Sequence, residues 1–337
     1  MPDSSTRGWF LTAMLLPEHD FQKPASLPEA LELLSKPALQ AKLLAGGTDV
    51  IFNMRGRLFE PDVLLSIKDL PELQRVDQLA DGSLSLGAGC RLTDLERNPL
   101  VGGYPGLVAG LRAVASRHVR NMATLGGNLN LDTRCWYTNQ TAEWRAAKGP
   151  CLKTAISGCH AIKSSNICVA LNASDTAPAL IALDATVELV SLAGSRMVRL
   201  AEFYTDDGVR HTVRRSDEIM ARIIVPPPAG RMVYIKETAR KGNDFAYATL
   251  AVWADGERES CRVLRCVLGS LTTRPVVLRG VAQQVAAGGL SDRVIDQAVD
   301  QVRDELGTLT NLYTPAAYKG RIAKSLVRSA LEQLRLL

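Results

Sequence analysis

The 337-residue sequence predicts an α+β fold in two parts, and three observations carry that reading. Up to about Val225, strand-like and helix-like segments alternate. Pro226-Pro227-Pro228-Ala229-Gly230 then interrupts the pattern, because three prolines cannot donate to a sheet ladder and hold the backbone extended. Beyond them strands come first and helices afterwards, the order of an α+β unit. The boundary therefore falls after residue 228, leaving residues 229–337 as a smaller C-terminal domain.

The elements follow in order. Ser26-Leu27-Pro28-Glu29 is a capping box, and the helix it opens carries Leu27, Ala30, Leu31 and Leu34 on one face. The apolar strand Leu43-Leu44-Ala45 runs into Gly46-Gly47-Thr48-Asp49, followed by a short helix over 50–55 and a strand over 63–67. Ser83-Leu84-Ser85-Leu86-Gly87 alternates as a half-buried strand does. Thr93-Asp94-Leu95-Glu96 reads as a second capping box, with Pro99 stopping its helix. An apolar helix over 106–116 leads to a second glycine turn, and further on 177–183 reads as a helix and 186–191 as a strand. Three strands are expected in the C-terminal domain, over 232–237, 248–254 and 261–268, then three helices, the last from about 316 to the end.

Bulk properties narrow the function classes. A hydrophobic fraction of 46% and a charged fraction of 22% are those of an ordinary globular protein. The net charge of +5 comes with no block of Lys or Arg, so nucleic-acid binding has little support. Apolar runs such as residues 11–17 fall well short of the roughly 18 needed to span a bilayer. Met1-Pro2-Asp3-Ser4-Ser5 shows no leader pattern, so a cytoplasmic protein without a membrane role is expected.

In that compartment the cysteines become informative. Cys135, Cys151, Cys159 and Cys168 fall in one loop without a periodic apolar face. Disulfides are rare in reducing cytosol, so such a group points to metal binding or catalysis. Four thiolates suit either a cubane iron–sulfur cluster or tetrahedral zinc. The intervals of 15, 7 and 8 residues contain no Cys-x-x-Cys knuckle, which favours a loop wrapped round a larger object but leaves both metals open. His160, beside Cys159, is a spare candidate ligand, whereas Cys90, Cys261 and Cys266 lie among apolar residues and read as core.

Two glycine turns flank or precede this loop. The strand through Lys42, Leu43, Leu44 and Ala45 breaks into Gly46, Gly47, Thr48 and Asp49 and enters a helix. Glycines admit close approach of a ligand, and free N–H groups at a helix start favour anions such as a pyrophosphate. Thr124, Leu125, Gly126, Gly127 and Asn128 offer a second such nest. Neither has the spacing of a Rossmann fingerprint or a Walker loop. After the cysteines comes Ser174-Asp175-Thr176-Ala177-Pro178, where Asp175 also reads as a helix N-cap.

These three segments, in this order, resemble the FAD-binding subunit of the xanthine dehydrogenase and carbon monoxide dehydrogenase family of molybdenum hydroxylases. Tyr234-Ile235-Lys236-Glu237 and Arg240-Lys241-Gly242-Asn243-Asp244-Phe245-Ala246 resemble that family's C-terminal domain. The resemblance covers the chain from about residue 21 to 337. It implies a two-part FAD-binding domain of the vanillyl-alcohol-oxidase (PCMH) type over 1–228, then the smaller domain. By that likeness the two glycine turns hold the FAD diphosphate and ribityl chain. Asp175 bonds near the adenosine end, Lys236 lies near the isoalloxazine ring, and Val114 stands where a side chain packs on that ring.

In most of that family Asn128 and the Asp175 turn are nearly adjacent, whereas here an insert over about 131–172 separates them. Its Leu131-Asp132-Thr133-Arg134-Cys135, Tyr137, Asn139, Gln140, Glu143-Trp144-Arg145 and three later cysteines resemble the flavin (beta) subunit of 4-hydroxybenzoyl-CoA reductase. That branch carries an additional [4Fe–4S] cluster in such an insert. The resemblance thus implies Cys135, Cys151, Cys159 and Cys168 as cluster ligands, with Trp136, Tyr137 and Trp144 packing the insert on the flavin domain. Arg134, Arg145, Lys148, Lys153 and Lys163 make the insert basic, either as solvated surface or as a dock for an acidic carrier such as ferredoxin.

The implied function is an electron-transfer subunit of a molybdenum oxidoreductase, with no catalytic residue of its own. FAD and one [4Fe–4S] cluster would reside here, with [2Fe–2S] clusters on a small partner and molybdopterin on a large one, in a dimer of heterotrimers. Ferredoxin would feed the reductive dehydroxylation of 4-hydroxybenzoyl-CoA to benzoyl-CoA. The alternatives are a subunit of an oxidative hydroxylase for another aromatic or heterocyclic substrate, and a zinc-stabilised scaffold without flavin.

Overall fold

The computed structural model describes residues 15–37, 40–155, 157–257, 261–307 and 315–337. Residues 1–5 and most of the 11–17 run, on which the leader and membrane readings draw, lie outside them. Among the described residues no helix is long and apolar enough to cross a membrane.

Three sheets organise the chain. β1 (Asp20–Gln22), β2 (Ala41–Leu44) and β3 (Val63–Ser66) form a parallel sheet in the order β1-β3-β2. Parallel neighbours need crossovers, and the helices Leu27–Leu34 and Val50–Arg55 supply them. The first capping box forms: Glu29 N–H donates to Ser26 Oγ at 3.3 Å, and Ala25 N–H donates back to Glu29 Oε2 at 2.7 Å. β4 (Val76–Gln78), β5 (Leu84–Gly87), β6 (Thr186–Ser191), β7 (Gly194–Arg199) and β8 (Ile219–Val225) make an antiparallel sheet ordered β4-β5-β8-β6-β7.

β9 (Arg231–Thr238), β10 (Ala246–Asp255), β11 (Val263–Gly269) and β12 (Val276–Val277) form the antiparallel C-terminal sheet. The two-residue β12 adds a fourth strand to the three expected. Helices Arg279–Gly288, Asp292–Glu305 and Ala316–Leu336 cover one face of this sheet. The other face packs on the N-terminal-domain helices Pro105–Ala113 and Ala177–Ala182. Along β10 successive side chains divide accordingly. Ala251 and Trp253 join the large core shared between domains, while Leu250, Val252 and Ala254 join the core beneath the helices.

Two sequence expectations need correction. β5 is buried on both faces, Ser85 as well as Leu84 and Leu86, so its alternation does not mark a solvent side. Thr93 caps no helix. Arg91 occupies the N-cap of Leu92–Leu95, and the Thr93 hydroxyl instead donates to Asn121 Oδ1 at 2.8 Å.

Candidate functional site

The two glycine turns meet face to face. A Cβ on Gly46 would lie 1.9 Å from the Met122 carbonyl oxygen, so this approach is open to glycine alone. Gly47 adopts φ +74, the left-handed region that side-chain-bearing residues rarely enter. Thr124 caps the short helix Leu125–Leu129, its Oγ1 accepting from Gly127 N–H at 3.1 Å. Beside the turns opens a cleft of about 570 Å³, within the range of pockets that hold organic cofactors.

Lys42, Leu43, Ala45, Gly46, Gly47, Thr48, Asp49, Val114, Thr124, Gly126, Gly127, Asn128 and Asp175 all line this cleft. Leu44, Leu125 and Lys236 do not. Leu125 is fully buried in the core, and Leu44 ends β2 behind the turn. Asn128 serves as a tie between segments: its Oδ1 accepts from Ser174 Oγ at 2.8 Å and from Thr176 Oγ1 at 2.6 Å.

The expected division of Asp175 and Lys236 between opposite ends of FAD does not hold. Their side chains form an ion pair at 2.8 Å, and Lys236 also donates to the Ala113 carbonyl at 2.8 Å. Two groups in contact cannot serve the two ends of one extended dinucleotide, so both belong beside Val114. Tyr234 closes the group, its hydroxyl donating to the Asp175 carbonyl at 2.9 Å. Burial pushes the Asp175 carboxyl up to about 6, against the pull of Lys236.

The cleft also has a cationic wall. Lys42 lies with its Nζ 3.7 Å from the centroid of the Phe59 ring, and Arg214 and His211 line the same cavity. Burial lowers the Lys42 pKa, opposed by Asp132 and reinforced by Arg214. His211 is likewise lowered, chiefly by burial. Cations beside glycine-lined backbone suit a diphosphate. Arg214 and His211 carry no sequence signal, since the polar loop around them has neither motif nor periodicity.

The four insert cysteines converge. Cys135, Cys151, Cys159 and Cys168 line one small pocket, together with Thr138, Lys153 and His160. Burial raises the Cys135 thiol and pushes Cys168 up to about 11. At Cys151 burial acts the same way but is outweighed by hydrogen bonds from Thr154, the Lys153 N–H and Thr138, so its thiol is lowered. Ile162 N–H donates to Cys159 Sγ at 3.4 Å. Buried sulfurs with donors aimed at them suit thiolates held by a metal centre. Among the described residues no group of three or more His, Cys, Asp or Glu is placed to hold a metal ion. His160 lines the same pocket, its Nε2 lying 3.1 Å from the Gly149 carbonyl.

The insert's other residues act differently from expectation. Tyr137 packs inside the insert, its ring centroid 6.2 Å from Trp144 and 5.2 Å from His160. Attachment to the flavin domain comes from arginines. Arg145 donates to the carbonyls of Gly56 at 2.7 Å and Arg57 at 2.9 Å. Arg134 pairs with the Asp49 carboxylate, which also accepts from Asp132 N–H at 3.3 Å. Lys153 is nearly enclosed, donating to Asp132 Oδ1 at 2.9 Å and the Thr133 carbonyl at 2.8 Å. Of the five basic residues, only Lys148 and Lys163 are exposed, so the insert is no continuous basic dock.

Comparison with known proteins agrees with this architecture. Residues 17–228 match the family model for the FAD binding domain in molybdopterin dehydrogenase, and residues 233–334 match the CO dehydrogenase flavoprotein C-terminal domain. The aldehyde oxidoreductase FAD-binding subunit PaoB of Escherichia coli (strain K12) is 30% identical over 308 residues, covering 88% of this chain and 92% of that one. The glyceraldehyde dehydrogenase medium chain of Sulfolobus acidocaldarius is 26% identical over 322 residues, covering 95% and 100%. Among solved structures, quinoline 2-oxidoreductase from Pseudomonas putida 86 superposes with a TM-score of 0.77 at 22% identity, covering 96% of this chain and 99% of that one. The chain therefore belongs to the FAD-binding subunits of the molybdenum hydroxylase family of oxidoreductases.

Proposed function

We propose that this subunit relays electrons between FAD in the glycine-lined cleft and a [4Fe–4S] cluster on Cys135, Cys151, Cys159 and Cys168. The observation that carries the reading is the convergence of four cysteines on one pocket. FAD, when bound, converts between one- and two-electron transfers. The chain's own part is positional. The backbone of the two glycine turns, with Lys42 and Arg214, holds the diphosphate; Val114 meets the ring; and the Asp175–Lys236 pair fixes the charge at that end. The domains over 1–228 and 229–337 act as one support, since Lys236 from the second completes the site in the first.

Partners would be a small subunit with [2Fe–2S] clusters and a large one with molybdopterin, assembled as a dimer of heterotrimers. The likeness of the insert to 4-hydroxybenzoyl-CoA reductase supports reductive dehydroxylation of that thioester, with ferredoxin supplying electrons to the cluster. A second reading, oxidative hydroxylation or dehydrogenation, is favoured by the relatives that are named as subunits of an aldehyde oxidoreductase and a glyceraldehyde dehydrogenase. The test is purification of the complex from its native host, with metal analysis and absorption spectroscopy. Flavin bands over a broad iron–sulfur shoulder that bleaches on reduction, with about four irons per chain beyond those of the [2Fe–2S] partner, are expected. A complex with one zinc and no excess iron would sink the cluster. Turnover assays with 4-hydroxybenzoyl-CoA against aldehydes and heterocycles decide the direction.

A further inference from the structure

Arg134 stands where the cysteine insert touches the flavin cleft, and its side chain belongs to both. It precedes Cys135 in the chain, and its own N–H and carbonyl are fixed by paired bonds to Leu171 at 2.7 and 2.8 Å. Its guanidinium pairs with Asp49 of the first glycine turn and donates to Asn53 Oδ1 at 3.3 Å. Asn53 in turn donates to Asp49 Oδ2 at 3.2 Å. The same guanidinium lies between two exposed aromatic rings, 5.7 Å from the Phe52 centroid and 5.3 Å from that of Phe245. Phe52 belongs to the helix after the glycine turn, and Phe245 to the C-terminal domain segment that lines the cleft. One side chain thus gathers the turn, the insert and the second domain.

We infer that Arg134 is a positioning residue that couples occupancy of the cysteine site to FAD binding. The inference rests on the cluster reading above. Asp49 needs a partner, because a carboxylate facing a diphosphate repels it; Arg134 neutralises that charge and holds the turn in shape. The geometry of Arg134 depends on the Cys135 segment, which is held at its neck by Leu171 and beside it by Thr133 and Lys153, and which cysteine ligation would tie at a further point. Filling the pocket fixes the segment, the segment fixes the arginine, and the arginine readies the turn. By linkage the effect is reciprocal, so bound FAD also raises retention of the cluster.

The test is a double-mutant cycle on the whole complex, reading FAD affinity by recovery of flavin fluorescence and iron by metal analysis. Cys159→Ser, which removes the cluster, should weaken FAD binding by about tenfold when Arg134 is present, the scale of a charge-assisted hydrogen bond. In an Arg134→Gln background the same cysteine change should have little further effect, a dependence that general structural damage would not produce. Equal weakening in both backgrounds, or none in either, overturns the inference. If Arg134→Gln does not fold, Asp49→Asn cuts the same bond from the flavin side; it should also abolish the dependence on the cluster, and its failure to do so refutes the coupling. An iron-free wild-type complex would refute the cluster itself, seen by metal analysis before any affinity is read, and the coupling with it.

Discussion

Asp175 keeps a carboxyl where water hardly reaches, its side chain 9% exposed against the 10% exposed Lys236. Burial and ion pairing oppose each other there, and burial prevails, holding the carboxyl at about 6. A carboxyl whose folded pKa lies above its unfolded value near 3.9 contributes stability that is complete below that value and lost as pH rises through about 6. The stability of the wild-type chain relative to Asp175→Asn should therefore fall between about pH 4 and pH 6 and level off above, by on the order of 3 kcal/mol. Circular dichroism melts at several pH values check this, and a gap that widens with pH would mean that the ion pair outweighs desolvation. In the sequence Asp175 and Lys236 were singled out as candidate site residues by the family resemblance, but not as each other's partner. Sixty residues of chain and a domain boundary separate them, and no local pattern encodes a contact of that range.

At the scale of elements, the insert is held by buried charge rather than by an apolar core. Lys153 and Asp132 are 9% and 12% exposed, and Lys153 also reaches the carbonyls of Thr133 and Gly208. Removing one member of such a pair leaves the other unpaired at a cost of about 3–5 kcal/mol. Lys153→Met should accordingly lower the iron content and make the insert protease-sensitive, while the flavin-domain sheets stay folded. Iron analysis with limited proteolysis checks the outcome, and an iron-replete, resistant variant would contradict it. From sequence the lysine looked like surface charge, because composition reports a residue's polarity and not what encloses it. Strand β5 misled in the same way. Its Ser-Leu alternation is that of a one-sided strand, yet Ser85 is buried like its leucine neighbours. The first capping box was legible because both its partners are local, whereas Thr93 found Asn121, far along the chain.

Taken whole, the molecule is two domains that share a core. Met232, Ala251, Trp253 and Val267 of the C-terminal sheet pack in the same cluster as Leu107, Leu111 and Leu180 of the flavin domain. Tyr234 and Lys236 reach across to Asp175. A chain ending after residue 228 should lose FAD and aggregate, since it exposes that apolar face and strands a buried carboxylate. Size-exclusion chromatography and flavin content measure this; a soluble, flavin-loaded fragment would show that the domains are independent. The triple proline is a local feature that a sequence displays, whereas a core shared between distant segments is not. The strand pattern of β10, apolar on every residue from Leu250 to Ala254, was the available sign that both its faces are covered. The neck of the insert has a consequence of another kind. Because Arg134 and Leu171 are bonded to each other across its base, the chain leaves the flavin fold and returns to it at a single point. A gene could acquire or shed everything between those two residues with the scaffold's path unbroken, which makes the cysteine insert a removable cassette on a much more general flavoprotein.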